Sequence, residues 1–488
     1  MALHQPVRVF PSTPGPPTTT ALSILDNTVA RFSPTGAIWV FDAYPPLARE
    51  AFLSQLQASF AKALSSFPHF AGQLHWDTST QRFNRAAVTY GSPSDPGVEY
   101  TVVASSTNIS IPKATIWEGT FPQDALLASQ TPLALHDLTT ADGLPAMIVQ
   151  ITLLPRGYAV AVKLAHPLAD AHTLLQFMRH WSAAHAARPP PTTPVFAPRR
   201  LDAHAIHAAG RPTRERDAAL TAQARALPLH RFDWWATTAP AYPAFLASTT
   251  ANSKPTAANL PAAAAAVAKE EIPRTDLQIP PWPTWDLLRP VKHAVLHFAD
   301  AALGALRVDG ASRLDALLAH VWARIVRARG LVDEDVFLNL TLGVRARTAP
   351  PLGDAFVGSP LVLAHVGRAA REVVAGPAAV AVAIRRCLQR FTPDAVAAVL
   401  HDAEGEVSPQ RIWQAFLGER HVLVTSWLRT GVYEIELFGA RPAWVHSVMP
   451  RMDGCVQVME GRDGGMDVSV YLEAQAMDRL LADRELGV

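Results

Sequence analysis

An α/β fold in two related halves is what this sequence predicts, and three observations carry that expectation. The chain has 488 residues, 49% hydrophobic and 17% charged. That is enough apolar material for roughly two to four buried cores, and too much for a disordered chain. Both flanks show the same order: a short apolar strand-like run, a long amphipathic helix, then β-rich runs. Strands mixed with long helices indicate α/β layers. Between the flanks lies a Pro- and Ala-rich stretch in which no helix persists past its prolines.

In the first flank, AIWVFDA at Ala37–Ala43 is the strand-like run. A helix follows over about Leu47–Phe67, with Phe52, Leu53, Leu56, Phe60 and Leu64 at helical spacing. Met147–Leu154 and Tyr158–His166 are read as strands. In the second flank, AVLHFAD at Ala294–Asp300 is the strand, and Arg313–Arg327 is the helix, with Leu314, Leu317, Leu318, Val321 and Ile325 on one face. Val336–Val344, Val422–Trp427, Tyr433–Leu437, Val456–Met459 and Asp467–Leu472 are read as further strands. The domain reading is therefore 1–190, a linker over 191–290, and 291–488. Trp234, Trp235, Trp282 and Trp285 predict that parts of the linker pack back onto the body; a lid is the alternative.

Composition narrows the function. Lys+Arg is 43 and Asp+Glu is 42, a balance that argues against nucleic acid or an anionic membrane as partner. The apolar runs Ala262–Ala268 and Ala378–Ile384 fall well short of the ~18–20 residues of a membrane span. Prolines interrupt the N-terminal stretch MALHQPVRVFPSTPGPP, so no secretory signal is expected. Cys387 and Cys455 are too few for a disulfide framework or a Cys-based zinc site, and a reducing, cytoplasmic setting is the simpler expectation.

The chemistry concentrates in GYAVAVKLAHPLADAHTLLQFMRHWSAAH, residues 157–185. Tyr158, Val160, Val162, Leu164 and His166 share one strand face by period-two alternation. Pro167 ends the strand, and Asp170 precedes a helix with Leu174, Leu175, Phe177, Met178 and Trp181 on one stripe. A neutral imidazole can take a proton from a hydroxyl or amine that attacks a carbonyl, provided one tautomer is fixed. Asp170 caps the helix or braces the turn. The plainer reading is a satisfied core histidine and a simple cap. A metal set of His166, Asp170 and His172 lacks further ligands. No G-x-S-x-G elbow, P-loop or G-x-G-x-x-G fingerprint follows a strand.

HPLAD at 166–170 matches the HxxxD motif of the CoA-dependent BAHD acyltransferases, and other segments follow in that family's order. FPHFAGQL at 67–74 resembles "YPxxAGRL". SRLDALLAHVWARIVRARG at 312–330 resembles "S-x-x-x-L-x-A-H-x-W-R". LGVRARTAPPLGDAFVGSP at 342–360 resembles "VxxRxRxxPPLPxxYxGN". VTSWLRTGVYEIELFGARPAWV at 424–445 resembles "TSWxxxxxYxxDFGWGxPxxV", and GGMDVSVYLEAQAMDRLLAD at 464–483 resembles "GxxVxVxLxxxxMxxL". The style of HPLADAHTLL and LPLHRFDWW is similar to the fungal branch that acetylates trichothecenes.

The resemblance implies two chloramphenicol-acetyltransferase-like domains, a channel between them, and a monomer. It implies acyl-CoA, most simply acetyl-CoA, as co-substrate, a small-molecule alcohol as acceptor, and no metal. It makes His166 the general base and Asp170 a structural residue. Trp427 becomes an oxyanion donor and Thr425 and Ser426 acceptor contacts; core packing is the plainer role for Trp427. Arg345 and Arg347 are read as bracing the second half or lying on a solvated face, or as approaching the CoA phosphates, for which Arg345 is the candidate. The Arg that should pair with Asp170 is not identifiable from the sequence. Where DFGWG is expected the chain has LFGARP at 437–442, which retains Gly439 as a structural residue but lacks the Asp, the Trp and the second Gly. That departure leaves a second reading, a fold-retaining member repurposed for CoA-independent chemistry or for binding a hydrophobic metabolite. An N-acyltransferase or condensation relative is a third.

Overall fold

A computed structural model describes residues 6–77, 85–109, 111, 115–119, 121–127, 133, 145–205, 217–244, 276–406 and 408–487. Two large sheets organise them. The first has six strands in the order Val7–Val9, Val98–Ala104, Met147–Leu154, Gly157–Leu164, Thr35–Phe41 and Trp444–Ser447. The second has seven, in the order Leu361–Ala369, Asp335–Gly343, His421–Ser426, Cys455–Glu460, Met466–Glu473, Val291–Phe298 and Ile116–Glu118. Both mix parallel and antiparallel pairs.

One of the two edge strands of each sheet comes from the other half of the chain. Trp444–Ser447 pairs with Thr35–Phe41, and Ile116–Glu118 pairs with Val291–Phe298. The boundaries at 190 and 291 therefore divide the sequence but not the sheets.

Alternation along Gly157–Leu164 explains the first core. Tyr158, Val160, Val162 and Leu164 face the helices Arg49–Leu64 and Ala171–His185, among Trp39, Phe52, Phe60, Phe177 and Trp181. Ala159 and Ala161 face the other way, toward Phe121, Val295 and Trp444. In the second half, helix Arg313–Arg329 starts at a capping box of Ser312 and Asp315 and buries nearly its whole length on the second sheet. Ala378–Ile384 lies within the helix Pro377–Gln389, and Ala262–Ala268 lies outside the described residues. Among the described residues, no helix is long and apolar enough to cross a membrane. Both cysteines are free and buried.

One strand expectation meets a different structure. Tyr433–Leu437 is not a strand; the chain makes a single 3-10 turn at Val432–Glu434 and then runs irregularly. Its backbone groups are taken by side chains of the first half. Trp39 Nε1 donates to Val432 O (3.0 Å), Ser182 Oγ to Glu436 O (2.8 Å), and Glu436 N to Ser182 Oγ (3.2 Å). The stretch 191–290, expected to pack back in part through its tryptophans, is packed structure in its described parts. Helix Ala218–Arg225 lies on helix Pro393–Glu404. Phe232–Asp233 pairs with Ile412–Trp413, Trp282 stacks on Trp285, and Arg411 lies over the Trp235 ring. Residues 206–216 and 245–275 lie outside the described residues.

Candidate active site

Strand Gly157–Leu164 stops two residues before the histidine. Ala165 N still donates to Ala146 O at 2.9 Å. Pro167 has no N–H to continue the ladder, and His166–Leu168 closes a 3-10 turn instead. His166 thus sits in the turn rather than on the strand's apolar face, with its side chain half-buried while Pro167 and Leu168 are buried. Asp170 caps the following helix through Oδ1, which accepts from Thr173 N at 2.9 Å.

The second half is clamped onto this cap. Arg345 donates to Asp170 Oδ2 through Nη1 and to Asp170 Oδ1 through Nη2 (2.9 Å). Nη2 also reaches Thr173 Oγ1 (2.9 Å) and Gly358 O (3.0 Å), and Nε reaches Phe356 O (3.1 Å). Both side chains are about nine-tenths buried. Arg345 is therefore not where a ligand of CoA phosphates would be. It is the Arg that pairs with Asp170, and it turns inward because that buried carboxylate would otherwise lack a counter-charge. Arg347 braces helix Pro377–Gln389 and the loop after it through Leu388 O (2.8 Å) and Phe391 O (3.0 Å). Burial alone would raise the Asp170 carboxyl, but the charge and hydrogen bonds of Arg345 outweigh it and leave its pKa below the ordinary value. His172 turns away, with Nε2 2.8 Å from Asp354 O. His166, Asp170 and His172 thus point to three different partners.

Behind the imidazole stand two residues that sequence reasoning missed. Ser359 Oγ lies 3.0 Å from His166 Nδ1, and Ser359 N donates to Asp26 Oδ1 at 2.6 Å. A local signal for Asp26 existed, since Ser23 and Asp26 form a capping box on helix Ile24–Thr28. Burial lowers the His166 pKa against the opposing pull of its own backbone carbonyl and of Asp170. Burial therefore favours the neutral form of the ring. Asp26 is fully buried among neutral donors, and burial pushes its carboxyl up to about 7.

The remaining candidates lie on the segment that crosses between the halves. Thr425 and Ser426 end strand His421–Ser426, half-buried, with Thr425 opposite Gln457. Trp427 is buried in the core of the first half, and its backbone N–H donates to Val458 O at 2.8 Å. No hydrogen bond links His166 to these three among the described residues. Gly439 holds a tight turn in which Leu437 and Ala440 exchange both backbone hydrogen bonds at 3.0 Å. Phe438 and Gly439 sit at φ of 53° and 75°. That pair of left-handed residues is what a type I′ turn requires, and it is costly for Phe. Contacts with Phe52 and His185 hold the Phe438 ring in place.

A sequence profile of the Transferase family matches residues 3–233 and 264–486. The chain belongs to this family, the BAHD acyltransferases. It is an acyltransferase. Acyltransferase AFT15-1 of Alternaria alternata is 23% identical over 97% of this chain and 94% of its own. Acyltransferase abl6 of Leptosphaeria maculans is 22% identical over 96% and 94%. These fungal relatives agree with the fungal resemblance of the sequence. The structure of F. sporotrichioides TRI101 in complex with coenzyme A and T-2 superposes with a TM-score of 0.64 at 14% identity, covering 96% of this chain and 98% of that one. The two chains share the two-domain fold of this family.

Proposed function

We propose that this BAHD acyltransferase moves an acyl group, most simply acetyl, from coenzyme A to a hydroxyl of a small, fairly apolar specialised metabolite, with His166 as general base. The observation that carries the reading is the half-buried, neutral imidazole whose Nδ1 is tethered from behind. That tether leaves Nε2 for the substrate. A TRI101 structure holding both coenzyme A and T-2 supports a donor and an acceptor bound together.

In this mechanism Nε2 takes the proton of the acceptor hydroxyl as its oxygen attacks the thioester carbonyl. The tetrahedral oxyanion collapses, the C–S bond breaks, and the CoA thiolate leaves with the proton returned by Nε2. No acyl-enzyme forms. Trp427 supplies its indole N–H to the oxyanion, and Thr425 and Ser426 contact the acceptor, since an indole N–H is a donor only. The clamp of Asp170 and Arg345 holds the turn rather than the substrate.

His166→Ala removes the base and should lower turnover about 10²–10⁴-fold while the melting temperature stays near wild type. CoA release from acetyl-CoA with a panel of small secondary alcohols measures this. Full activity in that variant would overturn the base assignment.

A further inference from the structure

His166 is held by residues that the reaction above does not use. Ser359 is fully buried, with its hydroxyl 3.0 Å from Nδ1 and its N–H donated to Asp26 Oδ1 at 2.6 Å. Asp26 Oδ2 accepts from Ser23 N (3.1 Å) and Ser23 Oγ (2.5 Å). Three donors therefore fix the carboxyl on a capped turn of helix, which cannot rotate away. That helix, Ile24–Thr28, packs directly on the turn His166–Leu168, and Phe32 meets the imidazole edge-on at 6.2 Å. Gly358 keeps the approach open. Its φ is 145°, and a Cβ there would lie 3.0 Å from Asp26 Oδ1.

A neutral imidazole has two tautomers, and only the one protonated on Nδ1 leaves a lone pair on Nε2. Where the family segment ends in Gly-Asn, this chain has Gly358-Ser359. A serine side chain is short, so the backbone decides where its hydroxyl stands, and that backbone is pinned by Asp26.

We propose that Asp26 and Ser359 are positioning residues for the base: Asp26 fixes the backbone of Ser359, and the Ser359 hydroxyl accepts from Nδ1–H and holds His166 with Nε2 unprotonated. The proposal rests on the reading of His166 as the base.

Long-range ¹H–¹⁵N spectra of the full chain labelled at histidine report the tautomer directly and need no acceptor. The His166 signal is the one missing in His166→Ala. Wild type and Ser359→Thr should show Nδ1 protonated, whereas Ser359→Ala and Asp26→Asn should show mixed tautomers. In the CoA-release assay, Ser359→Ala should lower kcat by roughly 10–100-fold, the size seen for partners that orient a metal-bound histidine. KM for acetyl-CoA should not change, and Ser359→Thr should restore kcat. A folded Ser359→Ala with the wild-type tautomer and kcat overturns the role of Ser359, and the same result in Asp26→Asn overturns that of Asp26. Should Asp26→Asn not fold, Ser23→Ala takes its place; it withdraws the Oγ from the carboxyl and should shift the tautomer less but in the same direction, and a wild-type tautomer there overturns the role of Asp26. Full activity in His166→Ala sinks the base reading alone, because the spectra still decide what holds the ring.

Discussion

Two aspartates flank His166, both buried, and they have opposite electrostatic fates. Asp170 meets a guanidinium, and its pKa falls below the ordinary value. Asp26 meets neutral donors from Ser23 and Ser359, with burial and, to a smaller extent, the nearby Asp202 charge raising its pKa to about 7. Burial is common to both; Asp170 has a counter-charge in Arg345, and Asp26 instead has a like charge, Asp202, nearby. At Asp26 the hydrogen bonds from Ser23 and Ser359 pull the pKa down by less than burial pushes it up. The comparison assigns different work to each. Asp170 joins the two halves of the molecule, whereas Asp26 is the one whose charge changes near neutrality.

The largest test of that contrast is Arg345→Ala. It leaves Asp170 buried without a partner and should cost about 3–5 kcal/mol of stability in urea unfolding. A loss under about 1 kcal/mol, the range of a surface pair, would mean that the clamp is solvated. Asp26→Asn should behave otherwise. The folded-state pKa of Asp26 is raised from 3.8 to about 7. Its stabilising share is therefore full below the unfolded pKa and is lost as pH rises through about 7. The Asn variant should lose about 1–3 kcal/mol at pH 5, from one buried donor left unpaired, and less at pH 8, where wild type carries the buried charge. Melting curves at the two pH values measure the difference, and a variant penalised more at pH 8 would show that the carboxylate is stabilised as an anion. Ser23→Ala is the mildest probe. It removes a helix cap together with one donor to Asp26, and should cost about 1 kcal/mol.

Much of this arrangement was legible in the sequence. A β-rich apolar run placed the strand Met147–Leu154, and helical spacing placed Arg313–Arg329 within two residues of its end. HPLAD marked His166, and the spacing to the next apolar stripe marked Asp170 as a cap. What was not legible is long-range pairing. Arg345 lies 175 residues from Asp170, and Ser359 lies 333 residues from Asp26. No local period reports such contacts. Tyr433–Leu437 looked like a strand because strand and irregular apolar segments share composition; the Trp39 and Ser182 side chains that take its hydrogen bonds lie far away in the chain.

The exchanged edge strands bear on how this protein can be cut. If the chain were severed between residues 245 and 275 and the fragments made apart, each would keep a sheet without its last ribbon and carry a spare one with nowhere to dock. Bare edges of that kind pair with whatever they meet, so the fragments should aggregate alone and recover only when made together. A gene fusion that borrows one half from a relative inherits the same obligation, because the borrowed half must bring an edge that its new host's sheet accepts.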